Sequence, residues 1–132
     1  MRYLLDTNIC IYLIKKKPPA VFKRLESLPI NQVGVSAITY AELEHGVSKS
    51  SFPEKNRMAL IKFMAPMEIL PFSDKVAKTY GQIRTFLEKK GMVIGALDLL
   101  IGAQALAEKL ILVTNNVREF NRIPGLKVEN WV

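Results

Sequence analysis

The sequence predicts an α/β domain built on a parallel sheet. Three observations carry this. Short apolar runs without alternation, such as Tyr3-Leu4-Leu5 and residues 110–113, read as strands buried on both faces. Longer segments with apolar residues at helical spacing separate them. No repeat, linker or low-complexity stretch interrupts the alternation, and 132 residues suit a single domain spanning 1–132.

The first strand closes at Asp6, and Asp6-Thr7-Asn8 supplies capping residues for a helix over 9–14. Lys15, Lys16 and Lys17 followed by Pro18 and Pro19 end it. A second helix over 20–28 places Val21, Leu25 and Leu28 on one face. Val33-Gly34-Val35 is the next strand, and Ser36 caps a helix over 37–47 that stops near Gly46. Residues 54–64 read as a helix with Met58, Ile61 and Met64 at helical spacing. A short strand over 68–72 closes at Pro71, and Ser73 and Asp74 start a long helix to about Lys90, stopped by Gly91. A helix over 96–108 leads into the strand 110–113, and residues 126–132 hold a last short strand.

Composition narrows the function. Apolar residues make up 49% and charged residues 23%, as expected of a soluble globular chain. The lone cysteine, Cys10, forms no internal disulfide, so a reducing compartment is expected. Asp98 and Gln104 break the longest apolar stretch, and Asp6 and Asn8 break the apolar start, so neither a membrane span nor a signal peptide is expected. The expected location is the cytoplasm. Nineteen Lys and Arg against twelve Asp and Glu give a net charge of +7, which favours a polyanion such as nucleic acid.

Three acids stand in the wrong surroundings for a basic chain. Asp6 closes YLLD, Glu42 lies in SAITYAELEHG, and Asp98 lies in MVIGALDLLIGAQALA. None has a Lys or Arg within three residues. Placing a carboxylate in apolar surroundings costs several kcal/mol unless donors or a cation compensate. A metal ion would supply that cation. Oxygen donors without thiolate or imidazole suit Mg²⁺ or Mn²⁺ rather than zinc. Glu119 follows the last strong strand but has Arg118 beside it, so its case is weaker. Taken singly, Asp6 also reads as a helix cap and Asp98 as an exposed helical acid. Glu42, in mid-helix, has no such explanation.

Other features take bland readings. His45, beside Gly46, suits a helix end, Cys10 a small core residue, and Glu44 a different helix face from Glu42. Lys15, Lys16 and Lys17 are candidate phosphate contacts, along with Lys49, Lys55, Arg84, Lys89, Lys90, Arg118 and Arg122. The 58–64 stripe suits a core or a partner surface.

LLDTN, SAITYAELEHG, GQIRTFLEKKGMVIGALDLLIGAQALA and LVTNNVREF, in this order and nearly end to end with the closing GLKVENW, resemble the PIN-domain ribonuclease toxins of the VapC type. The resemblance implies a three-layer α/β/α sandwich around a mostly parallel sheet. It implies a Mg²⁺- or Mn²⁺-dependent endoribonuclease acting on structured RNA, commonly tRNA, and inhibiting translation; a second ion stabilising the leaving 3′ oxygen would give 3′-hydroxyl and 5′-phosphate ends. Its acids fall on Asp6, Glu42 and Asp98, with Thr7, Asn8 and Thr114 in support. Where the family often has a further acid, this chain has Asn116, and Glu119 stands three residues on as the alternative fourth group. The implied partner is a VapB-type antitoxin whose tail covers the site, with docking surfaces near Met58–Met64 and Arg84. A toxin homodimer and promoter DNA bound only through the antitoxin complete the picture. Initiator tRNA, cut in the anticodon loop, is the implied substrate of the members most like it. The competing reading is a basic RNA- or protein-binding α/β module without chemistry, its acids serving as caps. A phosphoryl-accepting receiver domain fits less well, because LVTNN offers no lysine after the late strand.

Overall fold

The computed structural model describes all residues from Met1 to Val132. Five strands form one sheet in the order β3-β2-β1-β4-β5, every pair parallel. They are β1 (Tyr3–Leu5), β2 (Val33–Ser36), β3 (Glu68–Leu70), β4 (Ile111–Val113) and β5 (Val128–Glu129). Seven helices connect them: α1 (Thr7–Lys15), α2 (Pro19–Glu26), α3 (Ala37–Lys49), α4 (Pro53–Met64), α5 (Asp74–Lys89), α6 (Ala96–Ala107) and α7 (Val117–Phe120). No helix is long and apolar enough to cross a membrane.

The pleat of the short strands divides the core. Tyr3, Leu5, Val35 and Val113 face a cluster completed by residues of α1 to α4. Leu4 and Leu112 face the opposite cluster, filled by α5, α6, Phe120 and Ile123. The result is the α/β/α sandwich that the resemblance implies. The chain end is anchored too: the Trp131 ring meets Tyr3 edge-on at 5.5 Å, and Arg24 lies over both rings and pairs with Glu129.

Three elements depart from the sequence reading. α3 continues through Gly46 to Lys49, because Leu43 and Val47 are both buried and their packing outweighs the roughly 1 kcal/mol a helical glycine costs. His45 therefore sits on an exposed helical face rather than at a helix end. β3 stops at Leu70, before Pro71, which has no N–H for a ladder. α7 is a single turn too short to show a period. The stops at Lys16 and Gly91 follow the expected chemistry, each residue taking positive φ, 57° and 67°.

Gly102 brings α6 close to the chain after α7. A Cβ there would stand 2.6 Å from Ile123 Cδ1 and 3.3 Å from Phe120 Cδ1. Gly102→Ala is expected to lower stability by about 1–3 kcal/mol through overpacking, read as a lower denaturation midpoint. An unchanged midpoint would show that the Ile123 and Phe120 side chains can give way.

Candidate active site

The strand order reverses direction beside β1: the chain winds outward through β2 and β3, then returns to β4 and β5 on the other side. Open α/β sheets bind ligands outside the carboxyl ends of strands at such a point. Here β1 runs into Asp6 and β4 into Thr114. The acids of the sequence analysis gather around this crevice. Glu42 comes from α3, Asp98 from the first turn of α6, and Glu119 from α7.

Each acid is held differently. Asp6 is 4% exposed and caps α1, its Oδ1 accepting from the Ile9 N–H at 2.9 Å. Glu42 accepts from the Thr7 hydroxyl at 2.6 Å, and Thr39 stands 3.3 Å from the same hydroxyl. Glu119 is engaged at both oxygens, by the Gly95 N–H at 2.9 Å and the Asn116 amide at 2.8 Å. Thr114 is fully buried and accepts from the Asn116 N–H at 3.0 Å. A Cβ on Gly95 would lie 3.7 Å from Glu119 Oε1 and 3.8 Å from Asp98 Oδ2, so these two carboxylates flank one glycine.

No cation offsets this charge. The ion pairs of the molecule are Arg24–Glu129, Arg57–Glu44 and Arg84–Glu88, and none involves these four acids. The Asp98 carboxyl is pushed up to about 6 by burial first, then by the charges of Glu119, Asp6 and Glu42. Asp6 is also raised: burial and the charge of Glu42 outweigh the Thr114 hydroxyl and the Ile9 and Asn8 N–H groups that stabilise its charge. Glu44, two residues from Glu42, shows the contrast. It pairs with Arg57 at 2.6 Å and its carboxyl is lowered, chiefly by that partner.

The donor set is all oxygen and its repulsion is unrelieved, which fits a hard divalent ion. As the side chains stand, no three of them form a group close enough to hold one. Glu42 is turned onto Thr7, and Glu119 onto Gly95 and Asn116. Ion binding therefore calls for at least one of these carboxylates to reorient.

The remaining expected residues divide. Asn8 and the three lysines 15–17 are exposed. Lys15 lines the same groove as Glu42, whereas Lys16 lies over the Phe22 ring. Arg84 is bonded to Tyr80 and Glu88 beside a cavity against α6, and Arg118 is exposed on α7. Cys10 is wholly buried and its thiol is raised by that burial, consistent with a core residue. Sequence reasoning missed Gly95 and Thr39, and it missed the Asn115 amide that reaches the Tyr12 hydroxyl at 2.9 Å. Backbone and long-range partners leave no local signal.

Comparison with known proteins shows the family and the fold. A model of the PIN domain family matches residues 3–126. Ribonuclease VapC2 of Rickettsia felis is 50% identical over 132 residues, covering 99% of this chain and 98% of that one. The tRNA(fMet)-specific endonuclease VapC of Salmonella typhimurium is 40% identical over 131 residues, covering 99% and 98%. Among solved structures, VapBC2 from Rickettsia felis bound to a DNA fragment from their promoter superposes with a TM-score of 0.93 at 48% identity, covering all of both chains.

The raised Asp98 carboxyl makes a stability prediction. The folded protein holds this proton more tightly than the unfolded chain, whose ordinary value is 3.8, so metal-free stability falls as pH rises from there through about 6. Asp98→Asn removes that loss. In EDTA at about pH 7.5 the variant should be more stable than the wild type by roughly 1 kcal/mol, after allowing for solvent screening. The gap should close near pH 4. Thermal melts across this range check it, and a variant less stable throughout would contradict the electrostatic account.

Proposed function

Since this chain belongs to the PIN-domain family, among the VapC-type ribonucleases, we propose that it is the toxin of a toxin–antitoxin pair and hydrolyses RNA phosphodiester bonds with Mg²⁺ or Mn²⁺. The observation that carries this reading is the group of mutually repelling carboxylates, without a paired cation, at the carboxyl edge of the sheet in a chain of net charge +7.

Asp6, Glu42 and Asp98 would hold the ion, with Glu119 as fourth group and Asn116 as its support. When bound, a divalent ion supplies Lewis acidity and offsets negative charge at the scissile phosphate. The chain's own residues do the rest. Ile9 N–H and the Thr114 hydroxyl bond the charged form of Asp6 and so limit the rise that burial causes. Thr7 aims Glu42. A carboxylate of the group left free of the ion accepts the proton of the attacking water. Lys15, on the groove beside Glu42, and Arg118, exposed next to Glu119, are placed to attract the RNA backbone.

Initiator tRNA is the proposed substrate. Its support is the relative named for tRNA(fMet), alike over nearly its whole length. Cleavage in the anticodon loop would stop initiation of translation. The proposed partner is a VapB-type antitoxin, supported by the superposing VapBC complex. Its place is the groove between α1, α2 and α4, where Phe22, Met58 and Phe63 meet Lys16, Lys55 and Lys62. Met58, which lines that groove, and Ile61 are exposed on α4 while Met64 is core, so the stripe is divided between surface and interior. Promoter DNA would be bound through the antitoxin, and a toxin homodimer within the larger complex belongs to the same reading. A binding module without chemistry has one observation in its favour: Asp6 does cap α1.

Cleavage of total tRNA by the partner-free protein separates the two. Wild type should cut at one position with Mg²⁺ or Mn²⁺ and not with EDTA. Asp98→Asn should lower the rate roughly 10²- to 10⁴-fold with the fold intact. RNA left intact by a natively folded, metal-loaded wild type would favour the binding module. Thr7→Val, which removes the hydroxyl from Glu42, should cost about 10- to 100-fold in rate or metal affinity. A rate equal to wild type would remove Thr7 from the site's support.

A further inference from the structure

We propose that Arg122 is a positioning residue of this site. With Glu119 it latches the segment 91–95 and so fixes the first turn of α6, which carries Asp98. The inference rests on the nuclease reading for its effect on rate, and on geometry alone for the latch.

The start of α6 lacks the usual support. Its N-cap is Gly95, which has no side chain to bond the free N–H groups of the first turn. The segment before it gets little help from its own side chains: Val93 is 67% exposed, Met92 is 36% exposed, and only Ile94 is buried. Two polar contacts from elsewhere hold the backbone instead. Glu119 Oε1 accepts from the Gly95 N–H at 2.9 Å. Two residues earlier, the Arg122 guanidinium donates to the Val93 carbonyl at 2.9 Å. This second bond is charge-assisted, and Arg122 takes part in none of the ion pairs.

Both latch residues stand on one rigid base. The Arg122 N–H is bonded to the Glu119 carbonyl at 3.1 Å, so the two are fixed relative to one another. Between and after them, Phe120 and Ile123 are 0% and 2% exposed, packed where Gly102 lets α6 approach. Asp98 follows within one turn: the Leu99 N–H bonds the Gly95 carbonyl at 2.8 Å, so a shift at 93–95 carries Asp98 with it. One Arg122 Nη is thus committed to the loop. Misplacing a reacting group by about 1 Å can cost 10²-fold in rate, so a latch of this kind acts on the chemical step more than on binding.

The test compares wild type, Arg122→Met and Arg122→Lys by two readouts. Amide hydrogen exchange is followed across 92–97 in the metal-free proteins. The kcat, KM and salt dependence of tRNA cleavage are measured with Mg²⁺. Arg122→Met removes every donor but keeps the stem. It should exchange faster at 92–97 and lose about tenfold or more in kcat, with KM and its salt slope unchanged. Arg122→Lys can still donate to the Val93 carbonyl and should recover most of both. Unchanged exchange would overturn the latch. A raised KM with a shallower salt slope and normal kcat would make Arg122 a phosphate contact and overturn the proposal. If Arg122→Met fails to fold, Arg122→Gln, which has neither the length nor the charge of the guanidinium, decides. Slower turnover with faster exchange at 92–97 supports the latch, and wild-type values of both overturn it. If the wild type itself cuts no RNA, the nuclease reading fails, while the exchange comparison still decides whether the latch exists.

Discussion

The constraint on which this molecule depends is repulsion among carboxylates that the fold holds near one another without a cation. Burial, then the charges of Glu119, Asp6 and Glu42, raise the carboxyl of Asp98, and no lysine or arginine pairs with any of the four. Keeping such a group assembled requires donors, and the surrounding structure is arranged to supply them. Helix α1 offers the Ile9 N–H to Asp6, its own first residue Thr7 serves Glu42, and the chain after β4 brings Thr114 and Asn116. The parallel sheet makes this convergence possible, because every strand delivers its carboxyl end to the same edge.

The two halves of the sandwich divide the labour. The side with α1 to α4 carries Glu42 and a groove with basic rims, suited to a partner. The side with α5 to α7 carries Asp98 and Glu119 and the contacts that fix the start of α6. Glu119 joins both tasks. Its carboxylate adds negative charge to the site, yet both oxygens are engaged in holding Gly95 and Asn116. Under the proposed function, an ion arriving at the site would compete for those oxygens, and loading and loop position would be coupled through one side chain.

Much of this was legible in the sequence, for physical reasons. Asp6, Glu42 and Asp98 stood out because a basic chain had kept its cations away from them, and that same absence shapes the site's electrostatics. Asp6 defeated the either-or reading, since it caps a helix and joins the site at once. Glu119 was obscured by Arg118, a neighbour in sequence that stays exposed while Glu119 bonds inward. The latch had no local signature, because Arg122 bonds a backbone carbonyl 29 residues away. Gly46 misled because burial of Leu43 and Val47 overrode its propensity, and α7 is too short to carry a period.

The measurement that bears most directly on the central claim is a calorimetric titration of the partner-free protein with Mn²⁺ at about pH 6, in buffers of different ionisation enthalpy. The account predicts saturable binding with proton release, because the ion displaces the proton that burial and repulsion keep on Asp98. It also predicts that Asp98→Asn weakens binding and reduces the release. A natively folded protein that takes up no Mn²⁺, or takes it up with no proton released, would contradict it.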